Sequence, residues 1–123
     1  MWFSTHWIFW VRFKDGVQES FPVLERVVLV EAFDDGEARK KAALMAKQEQ
    51  EEFTGTYHWA GGRPADLEFI GVSKTVVVSS EDGGPEVKLA EGQELTCWEY
   101  EAHNLDDVKK LVSGGKPAVN YIE

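Results

Sequence analysis

The segment from Trp2 to Phe13 alternates so regularly that it admits one local structure. Its odd positions read Phe3, Thr5, Trp7, Phe9, Val11 and Phe13, an almost wholly apolar row. Period two is the repeat of a β-strand, whose successive side chains point to opposite faces. The even positions, Trp2, Ser4, His6, Ile8, Trp10 and Arg12, are mixed but still hold two tryptophans and an isoleucine. Both faces therefore need cover, which places this strand in the middle of a sheet. Lys14-Asp15-Gly16 then supplies a turn, Asp-Gly being suited to positive φ.

A second strand is predicted over Phe21 to Ala32, where Val27-Val28-Leu29-Val30 is apolar on both faces. The period then changes. Asp34 is a good helix cap, Glu37 completes a capping-box pattern, and Ala38, Ala42, Met45, Ala46 and Phe53 form one stripe. That predicts a helix over Asp35 to Phe53, close enough to a sheet for alanine to be the contact residue. Its last turns carry Glu49, Glu51 and Glu52, the wrong sign for the helix dipole, so packing rather than local propensity must hold them.

Gly55, Gly61, Gly62 and Pro64 mark a loop from Thr54 to Asp66, and Leu67 to Ser79 reads as a third strand. Gly71 inside that strand marks a bulge or a close approach by a large neighbour such as an aromatic ring. A polar loop over Ser80 to Gly92 leads to a fourth strand, Glu94 to Ala102. Asn104 caps a short helix with Leu105, Val108, Leu111 and Val112 on one face, and Gly114 and Pro117 stop it. Ala118 to Ile122 adds a short edge strand. The order ββαββα(β) implies an α+β fold: a mostly antiparallel sheet of four to five strands with the helices on one face.

With 123 residues the chain forms a single domain, residues 1–123, large enough to stand without disulfides. The net charge of −9 repels phosphate, and the one basic cluster, Arg39-Lys40-Lys41, is bracketed by acids. Nucleic acid and anionic membrane are poor partners for such a surface; a basic protein is a comfortable one. No apolar run approaches a membrane span, and the N-terminal segment lacks the basic start and cleavage site of a signal peptide. A lone cysteine, Cys97, fits a reducing compartment, and the expected location is cytoplasmic.

Taken together, the tryptophan-rich opening, Val30-Glu31-Ala32 leading into the alanine helix, Glu68-Phe69-Ile70-Gly71-Val72, Glu94-Leu95-Thr96 and the Leu105 to Val112 helix resemble a small bacterial family, domain of unknown function 4288. The resemblance covers most of the chain. It implies one bacterial domain and transfers no residue role.

Catalytic, cofactor and metal motifs are not expected. His6, His58 and His103 have no metal-ligand spacing, and His6 reads as a hydrogen-bonded, half-buried residue. Cys97 has no base near it in sequence and reads as a small buried hydrophobe. Glu99 and Glu101 share a strand face, where a solvated pair is the simpler reading than acid–base work. The residue types that anchor interfaces occur together in Tyr57-His58-Trp59 with Arg63, to be set against a Trp59 that merely plugs the sheet edge.

If helices cover only one sheet face, Trp2, Ile8 and Trp10 must meet something else, and a homodimer through that face would do it. The leading expectation is a non-enzymatic interaction or regulatory module, immunity-like in charge and size. The alternative is a small-ligand binder or enzyme with a pocket between sheet and helix, using His6, His58 or the glutamate pair.

Overall fold

The computed structural model of the chain describes residues 1–16, 18–79, 90–113 and 119–121. Strand β1 (Trp2–Phe13) runs antiparallel to β2 (Phe21–Glu31), and helix α1 (Asp35–Phe53) follows. Next come β3 (His58–Trp59), one 3-10 turn (Ala60–Gly62) and the long β4 (Arg63–Ser79). Strand β5 (Glu94–Ala102), helix α2 (Leu105–Ser113) and β6 (Val119–Tyr121) complete the described chain. These strands make a six-stranded sheet in the order β3-β4-β1-β2-β5-β6, each neighbour antiparallel. The α+β class is the one read from the sequence, and the order of elements matches roughly: β3 and the 3-10 turn lie in the stretch expected to be loop, and β3 brings the sheet to six strands where four to five were expected. The Ser80–Gly92 loop lies largely, and the Gly114 and Pro117 stop wholly, outside the described residues.

Strand β4 begins at Arg63, inside the stretch expected to be loop. Tertiary pairing overrides the glycine and proline signals there: Ala65 lies across from Phe13, and Pro64 accepts a hydrogen bond from the Lys14 amide at 3.1 Å. Pro64 lies just past Ala65, the last β4 residue in register with β1, a ladder end that tolerates a residue with no N–H.

The helices take opposite faces, not the one face expected. Helix α1 starts where Asp34 Oδ1 accepts from the Glu37 amide at 2.8 Å. It buries Ala38, Ala42 and Ala46 completely; Ala42 and Ala46 meet Trp7, Phe9, Val28, Val30 and Val72. Helix α2 lies on the other side, where Val108 meets Ile8, Trp10, Val23, Tyr100 and Ala102. The physical reason is the even row of β1. Each of its large apolar side chains gains about 1.5–3 kcal/mol from burial, and α2 carries an apolar stripe of its own that needs a surface.

Two details show how closely these layers fit. A Cβ built on Gly71 would stand 2.7 Å from a Val112 methyl, so glycine admits α2 to the sheet. The neighbour is thus an aliphatic side chain rather than a ring, and the register of β1 on β4 slips nearby, between Ile8 and Phe9. On the outer edge of β4, side chains of α1 reach round to the backbone. Gln50 Oε1 accepts from the Phe69 amide at 2.6 Å, and Arg39 donates to the Val72 carbonyl. An otherwise open strand edge is occupied in this way.

Gly71→Ala is expected to lower stability by about 1–3 kcal/mol, because a stiff β-branched neighbour must move. Denaturant unfolding of Gly71→Ala, Val112→Ala and the double variant checks it. The double variant should recover part of the loss, whereas strictly additive losses would show that the two residues do not meet.

Candidate functional site

The predicted cluster Tyr57, His58, Trp59 and Arg63 gathers at the end of the sheet where β1 turns toward β2. The Arg63 guanidinium lies 3.6 Å from the centre of the Phe13 ring, and its Nε donates to Asp15 Oδ1 at 2.7 Å. Trp59 is half-buried and pairs with Arg63 across the β3–β4 ladder. Tyr57 packs edge-on against Phe53, with ring centres 6.5 Å apart. His58 is exposed, and its Nδ1 donates to the Thr56 carbonyl at 3.1 Å. Arg63 therefore ties the β1–β2 turn to the start of β4.

Trp2 and Trp10 belong elsewhere. Trp10 is buried under α2 beside Phe21, ring centres 5.7 Å apart, so the chain itself covers that part of the face. Trp2 is buried at the far end of β1, opposite Glu31 on one side and Ser79 on the other.

His6 is nearly buried and bonded, as its place on the mixed row implied. Its Nδ1 lies 2.6 Å from Glu25 Oε2, and the Tyr100 hydroxyl donates to Glu25 Oε1 at 2.7 Å. A carboxylate only accepts, so with Glu25 ionised His6 carries its hydrogen on Nδ1. Burial by itself would raise the Glu25 pKa, but the hydrogen bonds from His6 and Tyr100 bring it below the ordinary value. The three residues come from β1, β2 and β5, so this chain of groups also ties three strands together.

Cys97 is exposed, not buried as expected. It faces the α1 side opposite Arg26, and α1 lies mainly over β4, β1 and β2. Partial burial of the thiol and the nearby Glu94 carboxylate push its pKa up, against the opposing pull of Arg26. A thiol held protonated is a poor nucleophile at neutral pH. Glu99, on the same side opposite Leu24, is exposed, and Glu101 is partly covered. Among the described residues no three histidines, cysteines or carboxylates gather in a way that would hold a metal.

The feature that pattern reading missed lies between the carboxyl-terminal half of α1 and β5. A cleft of about 260 Å³ is floored by Phe9, Leu24 and Leu67 and walled by Glu49, Phe53 and Glu94. A second cleft of about 230 Å³ shares Arg26 and Glu49 and adds Glu52 and Gln48. Arg26 is the hub: it pairs with Glu49, its Nε lies 2.8 Å from Glu94 Oε1, and its guanidinium carbon stands 5.5 Å from the centre of the Trp7 ring. Burial alone would lower its pKa, but Glu94 and Glu49 raise it further above the ordinary value. Further along β5, Cys97 and Glu99 lie near Tyr57, whose hydroxyl is pushed up in pKa by burial and then by Glu99 and Cys97. The signal available in the sequence was the acidic last turn of α1, which contains no basic residue.

The family model described as domain of unknown function (DUF4288) matches residues 2–88. The chain belongs to this family. The match takes in β1, β2, α1, β3 and β4, so the α1 wall and the floor of the groove fall inside it. The Glu94-Leu95-Thr96 and Leu105 to Val112 segments, with the β5 wall, fall beyond it. No curated protein and no solved structure gives a match.

Because folding lowers the Glu25 pKa, its stabilising share is present above the unfolded value of 4.5 and is lost as pH falls through the folded value. Glu25→Gln should therefore be less stable than wild type at neutral pH, with the gap closing below pH 4.5. Thermal unfolding of both proteins across that range measures it. A gap that stays constant would show that the carboxylate form is not what His6 and Tyr100 hold.

Proposed function

We propose that this domain is a non-enzymatic protein-interaction module whose partner is a basic protein. The observation that supports it is how the charges are used. The chain carries 22 acidic against 13 basic residues, and Arg12, Lys14, Arg26, Lys41, Arg63 and Lys110 are each already paired with carboxylates. With these cations paired, the net excess of acids remains uncompensated and leaves the surface field acidic, and such a field steers a cationic partner and rejects anionic ones. The reactive groups fit this reading: His6 is engaged by Glu25, and Cys97 is held as a thiol.

One arrangement favours a second reading, that of a small-ligand or acid–base site. The Tyr100–Glu25–His6 chain of groups, little exposed and strongly hydrogen-bonded, has the composition of such a site. Its role in tying three strands explains the same contacts without a ligand.

The test is affinity capture from the source organism's lysate at low salt, with mass spectrometry. Recovery of one stoichiometric protein of high isoelectric point, released by salt, is the expected result. Repeated recovery of acidic proteins, or of none, would overturn the reading.

A further inference from the structure

We infer that the groove between the end of α1 and β5 is the docking site, and that it takes a basic segment with an apolar side chain at its centre. This rests on the interaction reading and gives it a place and a chemistry. The argument starts from a local rule that α1 breaks. The carboxyl end of a helix carries partial negative charge and favours cations there, yet α1 ends on Glu49, Glu51 and Glu52 with no basic residue in its last turn.

Arg26 answers Glu49 and is shared with Glu94. Glu52 has no cation paired to it among the described residues, and Glu99 across the groove is in the same position. One guanidinium thus faces carboxylates on both walls and the negative pole of a helix. An arrangement that costs the isolated domain stability is where a functional contact is expected.

The floor supplies the other half of the match. Phe53 falls on the apolar stripe of α1 but remains 41% exposed, beside the partly covered Leu24 and Leu67. On the helix Glu52 adjoins Phe53 and lines the neighbouring cleft, and on β5 Glu99 stands in register with Leu24. A leucine-sized side chain between lysines or arginines meets both features at once: the strip takes the apolar group and the rims take the cations. A second copy of this chain is a poor occupant, because it would bring further carboxylates to the same rims. An acidic peptide is excluded on the same ground.

The probe is a short synthetic peptide with one leucine between pairs of lysines, and the control replaces every lysine by glutamate. Heteronuclear NMR of the labelled full chain maps where each binds. Shifts concentrated at Leu24, Arg26, Glu49 and Phe53, with affinity falling about tenfold as salt rises to roughly 0.3 M, are expected from the lysine peptide alone.

Glu52→Lys and Glu99→Lys reverse one charge on each wall, at exposed positions that leave the core intact. Each should weaken the peptide by roughly fivefold or more, and Glu52→Lys should also raise Tm by about 1–3 °C, since it corrects the helix end. No binding at about 1 mM peptide would overturn the assignment. So would shifts centred elsewhere, for example on Asp34 to Glu37, or unchanged affinity in both variants. If both variants still capture the protein that wild type captures, the interaction reading stands and the groove falls. If wild type captures nothing while the peptide still seats in the groove, the groove stands and the interaction reading falls.

Discussion

The structure depends on β1 being buried on both faces. Its odd row needs one apolar layer and its even row needs another, so a single helix layer cannot satisfy it. Helix α1 answers the first with alanines, which bring its backbone close to the sheet, and α2 answers the second with Val108 and its neighbours. Everything around β1 follows from that. Strand β4 on one side and β2 on the other are held by the same pairing, and Gly71 is small because α2 must come down onto β4 beside Ile8.

Polar groups inside this arrangement serve the same end. Thr5 Oγ1 donates to the Val28 carbonyl at 2.8 Å and accepts from Trp7 Nε1 at 2.9 Å, which satisfies an indole N–H that the α1 layer buries. On the opposite face Glu25 is flanked by His6 and Tyr100. Arg26, next in sequence to Glu25, points the other way and holds Glu49 and Glu94. Two adjacent residues of β2 thus organise the ionic contacts of two different faces, a direct result of the period-two alternation.

The acidic end of α1 is where this economy fails. The rest of the helix obeys its local rules: Asp34 caps the start, acids sit in the first turn, and the buried stripe is continuous through Ala46. Only the last turns depart, and they depart beside an apolar strip that the fold leaves partly open. The contrast between an orderly beginning and an unfavourable end gives the groove its interest.

The sequence by itself determined most of the elements, though not β3 or the start of β4. Period two fixed β1 and β2, the shift in period with Asp34 fixed α1 to its end residues, and the spacing after Asn104 fixed α2. These signals are local, so they survive without knowledge of the fold. Tyr57, His58, Trp59 and Arg63 were legible as one group of interface-type residues; that the ladder sets Trp59 opposite Arg63 was not. Only the tertiary structure decided which face each helix covers, that Cys97 is exposed while Trp10 is enclosed, and that Arg63 lies on Phe13. The groove belongs to this second group. Its walls, Glu49 and Glu94, are far apart in the chain and meet one surface only because β5 pairs with β2 beyond the edge of α1. Alternation says that a side chain needs cover or can face water; it does not say which distant segment supplies the cover, because long-range pairing is set by the summed burial of both faces of β1.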